Sequence, residues 1–225
     1  MSSTKFPKCC SKHSVLQIVL PHCYWDPIQQ LRSIYMKDIR CGPHFNLAAP
    51  FVDPAYFDKA AEVLIPALSS LSKISFTLEK FSYVVHPTSV TLYIEPTFEN
   101  EDTLKPVIDV VKTLFPQCHD LYEASENGDL RPHFTIGKFH TEQQAQKVFK
   151  EIQETWKPIK IEIHEIYMNW RSGSDPYEIK KIIPIGSSNQ QPYFGPNSLL
   201  ASPQRSFFFF FFFFFKKKIN NLSLI

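Results

Sequence analysis

Two stretches decide how this chain is read: Pro43-His44-Phe45-Asn46-Leu47-Ala48-Ala49 and Pro132-His133-Phe134-Thr135-Ile136-Gly137. In an extended strand, successive side chains point to opposite faces. His44 and Asn46 therefore share one face while Phe45 and Leu47 take the other, and His133 and Thr135 stand in the same relation to Phe134 and Ile136. The apolar pair belongs in a core, which leaves each imidazole and its polar neighbour on the opposite face. A single His-x-Thr carries little information. His86-Pro87-Thr88 also matches, but at a proline-broken strand end without the apolar alternation, so His86 reads as structural or exposed. The repetition carries the weight.

The flanks of the two stretches match as well. Val15 to Leu20 is a short apolar run suited to a buried strand. Asp26-Pro27 then reads as a helix N-cap with proline at the first helical position, followed by Ile28, Leu31, Ile34 and Tyr35 at helical spacing. After the His44 strand, Asp53-Pro54 opens a second helix with the stripe Phe57, Ala60, Ala61, Leu64, Ile65 and Leu68, and Lys73 to Val85 reads as strand. The second half runs in the same order. Ser89 to Ile94 is strand, and Leu104, Val107, Ile108, Val111, Leu114 and Phe115 mark a helix ending before Pro116. After the His133 strand, Thr141-Glu142-Gln143-Gln144 is a capping box for a helix with Ala145, Val148, Phe149, Ile152 and Trp156 inward. Lys160 to Trp170 and Glu178 to Ile185 close the fold as strands. Each half is strand, helix, His-strand, helix, strand, and internal duplication is the simplest account. The order predicts an α+β fold of two pseudo-symmetric lobes, each a mainly antiparallel sheet with outer helices, and a central cleft carrying the two His-x-(Thr/Asn) strands.

With 225 residues the chain is long enough for one domain or two small lobes around a real core. The boundaries read as a domain over 12–187 and a low-complexity tail over 188–225. Nine of the 21 Phe form the single run Phe207 to Phe215, and the tail carries Arg205, Lys216, Lys217 and Lys218 with no acid. Taking those four charges from the formal +2 leaves the rest of the chain at −2. A slightly acidic body lacks the broad basic footprint of proteins that grip long nucleic acid. A nucleic-acid substrate is then expected to be short, or held at its end.

Two imidazoles and two polar side chains converging on one cleft suit phosphodiester hydrolysis near neutral pH. One group takes a proton from attacking water and another protonates the leaving oxygen, and histidine serves both purposes. His44 and His133 are the expected catalytic pair. The Asn46 amide and the Thr135 hydroxyl could donate to non-bridging oxygens. No metal or other cofactor is required. Arg131 and Lys138 could add positive charge near a phosphate, or be solvated surface cations. Tyr167 and Trp170, near strand ends, could stack on a base or belong to the core. Gly137 allows close approach of backbone or ligand, or marks a bulge.

His44-Phe45-Asn46-Leu47 and His133-Phe134-Thr135-Ile136 resemble the paired His-apolar-Ser/Thr-apolar motifs of the two-histidine (2H) phosphoesterases, in particular the 2′-5′ RNA ligase-like and cyclic phosphodiesterase group. Pro50-Phe51-Val52-Asp53-Pro54, Arg131-Pro132, Trp170-Arg171 and Ile183-Pro184-Ile185-Gly186 extend the resemblance over roughly residues 12–187. It implies a two-lobed fold, no metal, and 2′,3′-cyclic phosphate or 2′,5′-linked nucleotide substrates, with RNA ligation as an associated activity. The expected partner is a nucleotide or a short RNA 3′ end, and the expected state a monomer. Asn46 departs from the resemblance, standing where the family has Ser or Thr. That departure motivates an alternative, a nucleotide or RNA-end binding module with weakened turnover.

Five cysteines in no regular framework, and no long apolar N-terminal stretch with a small-residue cleavage site, suggest a reduced protein of cytoplasm or nucleus. Cys9, Cys10, His13, His22 and Cys23 cluster in sequence and offer a zinc-binding alternative, although their spacing matches no known zinc pattern. Nine Phe as a helix would span roughly 14 Å, about half a bilayer core. The run is too short for a membrane span and reads as a disordered appendage, with a weak membrane or partner contact as its alternative.

Overall fold

His44 opens one edge strand and His133 immediately precedes the corresponding edge strand, in two different four-stranded sheets. The structure is a computed structural model that describes Phe6 and residues 10–37, 39–123 and 130–186. The tail over 188–225, the poly-Phe run included, lies outside the described residues, as does Cys9. In chain order the elements are β1 (Cys10–Ser11), β2 (Ser14–Val19), α1 (Trp25–Tyr35), β3 (His44–Ala48), β4 (Phe51–Val52), α2 (Phe57–Leu68), β5 (Ile74–His86) and β6 (Ser89–Phe98). There follow α3 (Lys105–Leu114), α4 (Asp120–Glu123), β7 (Phe134–Phe139), α5 (Glu142–Thr155), β8 (Ile159–Ile163), β9 (Glu165–Trp170) and β10 (Glu178–Pro184). One sheet has the order β10-β9-β2-β3 and the other β7-β6-β5-β8, with β1 and β4 forming a small ribbon. All pairings are antiparallel. The α+β class and the two antiparallel sheets expected from the alternating pattern are present.

The duplicated halves do not each fold into one sheet. β5, the last strand of the first half, inserts between β6 and β8, while β9, from the second half, inserts between β2 and β10. The two sheets thus correspond strand for strand, with β3, β2, β9 and β10 matching β7, β6, β5 and β8. Helices cross over too: α1 packs on β7, and α3 contacts β3. The stretch Lys160 to Trp170, read as one strand, is two. It breaks at His164, whose carbonyl accepts from the Ile185 N–H at 2.7 Å, and the halves enter different sheets. Neither Gly nor Pro marks this crossing.

Local capping follows the chemistry of the residues, with one shift. Thr141 caps α5, its Oγ1 accepting from Gln144 N–H at 3.3 Å. Asp53 accepts from Ala55 N–H at 3.0 Å at the head of the 3₁₀ turn Pro54–Tyr56 that leads into α2. Asp26 is not the cap of α1: a 3₁₀ turn over His22–Tyr24 moves the start upstream, and Asp26 and Pro27 lie within the first turn, where a missing N–H costs nothing. Gly137 meets the end of α1. A Cβ there would lie 2.7 Å from Tyr35 Cβ, so the close approach that needs glycine is helix on strand. A register shift in the β6–β7 pairing falls beside it, between Leu92 and Tyr93.

A single core joins the sheets. Phe45 and Leu47 of β3 and Phe134 and Ile136 of β7 are buried, as the alternation requires. Phe45 meets Phe134 edge-on across the junction of the two strands, and Phe134 continues to Phe76 of β5.

Candidate active site

The opposite parity of the same strands carries the polar groups. His44, Asn46, Arg131, His133 and Thr135 line one cavity of ≈ 100 Å³, with Leu121 and Leu130 as apolar wall. Pockets for whole drug-sized ligands run to roughly 300–1,000 Å³, so this one has room for a substrate's reacting group and leaves the rest outside.

Each imidazole is held by its own backbone. His44 Nδ1 lies 2.8 Å from the Gly42 carbonyl, and His133 Nδ1 lies 2.9 Å from the Arg131 carbonyl. A carbonyl only accepts, so in both rings Nδ1 carries the hydrogen; Nε2 is then the ring nitrogen turned to a ligand, with the Cys41 sulfur 4.0 Å from it in His44. The device is the same in Gly42-Pro43-His44 and Arg131-Pro132-His133. Proline fixes its own φ and confines the preceding residue to extended conformations, which points that residue's carbonyl back at the ring two positions on.

The two surroundings then differ. His133 is exposed, and the Tyr93 ring lies beside it at 5.0 Å between centroids. His44 is half-buried, with Cys41 Sγ 3.3 Å from its Nδ1. Burial opposes a charge on His44, but the Cys41 sulfur and the Gly42 carbonyl outweigh it and hold the imidazole above its ordinary pKa. Burial likewise pushes the Cys41 thiol up, yet the His44 ring and the Arg32 guanidinium together hold it below its usual value. Arg32 is itself buried, donating to the Cys41 carbonyl at 2.9 Å and to Gln29 at 2.8 Å. Gly42 must be glycine for the loop to lie where it does. A Cβ would fall 2.2 Å from Trp25 Cζ2, and that indole is pinned by its Nε1–H to the Leu20 carbonyl at 2.6 Å.

Asn46 makes one further contact, as its Oδ1 accepts from Gln17 Nε2 at 2.8 Å. Three of the residues considered from sequence do not line the cavity. Lys138 is exposed and pairs with Thr91 beyond the register shift of β7. Tyr167 pairs with Gln17 and so shares the face of Asn46, but it lies a strand further from the cavity, its hydroxyl bonded to Glu165. Trp170 alternates onto the other face with Ile166 and Met168, where Lys180 Nζ lies 5.2 Å from its ring centre.

Sequence reasoning missed Gln17, Cys41 and Tyr93. Gln17 had a usable signal, since a polar residue inside an otherwise apolar buried strand must find a partner. Cys41 and Tyr93 had none. Two of the residues weighed as a zinc cluster go to separate partners: Cys10 Sγ lies 3.1 Å from Cys118 Sγ, and His22 stacks on Trp25. Among the described residues no group of three or more His, Cys, Asp or Glu could hold a metal ion, and no helix is long and apolar enough to cross a membrane.

Comparison with known proteins adds a family match: the model described as the 2′-5′ RNA ligase superfamily matches residues 20–175, more than half of the chain. No curated protein sequence matches significantly. Among solved structures, TT0787 of Thermus thermophilus aligns with TM-score 0.50 at 11% identity, covering 78% of this chain and 100% of its own. E. coli LigT, solved with 3′-AMP, aligns with TM-score 0.47 at 15% identity, covering 77% and 98%. Usb1 of Kluyveromyces marxianus aligns with TM-score 0.44 at 11% identity, covering 78% and 98%. At 11% identity the likeness to TT0787 is one of fold.

Proposed function

The chain belongs to the 2′-5′ RNA ligase superfamily, and on that footing we propose that it is a metal-independent phosphodiesterase. Its substrates are RNA or nucleotide 2′,3′-cyclic phosphates or 2′,5′-phosphodiester bonds. The observation that carries this reading is the pair of histidines on one cavity, each with Nδ1 tied to the carbonyl two residues before it.

In the reaction, one Nε2 takes a proton from water as its oxygen bonds to phosphorus. The P–O bond to the ribose breaks, and the other imidazole gives its Nε2 proton to the leaving oxygen. A cyclic phosphate thereby opens to a phosphomonoester with one free ribose hydroxyl. Asn46 Nδ2 and the Thr135 hydroxyl donate to the non-bridging oxygens, whose charge grows in the transition state, and Arg131 adds positive charge at the rim. The small cavity takes the phosphate, so sugar and base extend outside it. This fits a mononucleotide or an RNA end.

The test is a product assay on nucleoside 2′,3′-cyclic phosphates and 2′,5′-linked dinucleotides. His44→Ala and His133→Ala should each lower the rate by roughly 10²- to 10⁴-fold while the unfolding transition is retained. Near wild-type turnover in either variant would overturn the paired-histidine mechanism.

A further inference from the structure

Behind Asn46 lies a line of three amides. Asn169 Nδ2 donates to Gln17 Oε1 at 2.6 Å, and Gln17 Nε2 donates to Asn46 Oδ1 at 2.8 Å. Gln17 is 1% exposed and Asn169 0%, so neither can touch substrate. They reach Asn46 because the three residues sit on adjacent strands of one sheet: Gln17 pairs directly with Asn46 on one side and with Tyr167 on the other, one diagonal step from Asn169. Burying two primary amides in the middle of a strand layer is costly unless they are bonded. Even so, Asn169 Oδ1 has no partner among the described residues.

We propose that Gln17 and Asn169 are positioning residues, an amide relay that fixes which end of Asn46 faces the phosphate. This rests on the phosphodiesterase reading. An amide side chain has a donor end and an acceptor end of nearly equal shape, so a free asparagine could present either. With Oδ1 held by Gln17, Asn46 is committed to presenting its NH₂, with two donors, where a hydroxyl would offer one. Only this polarity suits an anion, because the reverse would set an amide oxygen against phosphate oxygens. Each amide in the line polarises the next, which strengthens the terminal donor. The relay makes asparagine workable at a position where a freely rotating hydroxyl would orient itself. Specificity follows: the site takes an anionic, oxygen-rich group at Asn46 and discriminates against a ligand that offers a donor there.

The experiment is a double-mutant cycle on kcat and KM for a nucleoside 2′,3′-cyclic phosphate, using Gln17→Met, Asn46→Thr and the double variant. Gln17→Met alone should lower kcat/KM, by up to the roughly 10²- to 10³-fold seen when one transition-state donor is lost. In the Asn46→Thr background the same change should leave the rate unaltered, since a threonine hydroxyl needs no relay. Equal losses in both backgrounds would overturn the relay and leave Gln17 a packing residue. Should Gln17→Met not fold, Gln17→Glu, measured at a pH where its carboxyl is ionised, keeps the shape but only accepts, and so turns the Asn46 NH₂ away from the cavity. There the ¹⁵N side-chain signals of Asn46, which should move on titration with inorganic phosphate in the wild type, should stay still. Equal movement in both proteins would also overturn the relay. If the wild type opens no nucleoside 2′,3′-cyclic phosphate and cleaves no 2′,5′-linked dinucleotide, the phosphodiesterase reading fails by itself, and the phosphate titration still judges the relay.

Discussion

The ring of Phe45 meets the ring of Phe134 edge-on, with centroids 5.3 Å apart and planes at 83°. Each phenylalanine is the immediate neighbour of a histidine on the opposite face of its strand. The contact therefore sets the spacing of the two edge strands that carry His44 and His133.

Truncating either ring should cost stability first and turnover with it. Phe45→Ala and Phe134→Ala are each expected to lower the unfolding free energy by ~3–5 kcal/mol, and their double-mutant cycle to give a coupling of ~0.5–1.5 kcal/mol. Denaturant titration measures both. Additive losses would mean the rings act independently and do not tie the strands together.

Gly42→Ala should reduce activity beyond its effect on folding. The added methyl drives against the pinned Trp25 ring, an overpacking cost of ~1–3 kcal/mol, and the loop carrying the Gly42 carbonyl has to move away from His44 Nδ1. A variant with wild-type turnover would show that this carbonyl does not orient His44.

Cys41→Ala should shift the pH–rate profile in one direction. The His44 pKa is raised because the Cys41 sulfur and the Gly42 carbonyl together outweigh burial, so removing the sulfur leaves only the carbonyl against burial and lowers it. Whichever limb belongs to His44 moves to lower pH: the basic limb if His44 is the acid, the acidic limb if it is the base. The apparent values belong to the histidine pair, so it is the displacement that is informative. An unmoved profile would mean that Cys41 does not tune His44.

Tyr93→Ala should lower kcat more than Tyr93→Phe, because the ring beside His133 restrains an otherwise exposed imidazole. Steady-state kinetics of the two variants decide this. Equal rates for Ala and Phe would leave the ring with no part in turnover.

Features that depend on near neighbours were legible in the sequence. The alternation of Phe45 and Leu47 against His44 and Asn46 follows from the two-residue period of a strand, and burial of the first pair delivers the second to the cavity. The caps at Asp53 and Thr141 could be read for the same reason. The carbonyls that fix the two rings lie only two residues away, but the sequence reading did not find them.

Which strands lie side by side was settled only by the assembled fold. Nothing between Lys160 and Trp170 marks the crossing at His164 that sends β8 to one sheet and β9 to the other. That exchange is what sets Asn169 beside Gln17, 152 residues away. Trp170 shows the same limit, because an aromatic near a strand end reads alike on either face until the pairing with Ser14 assigns it to the core side. Backbone periodicity is a local property and survives in the one-dimensional string. Strand partnership is a competition among all the exposed edges of the chain, settled by the burial that the whole assembly achieves, and no local stretch encodes it.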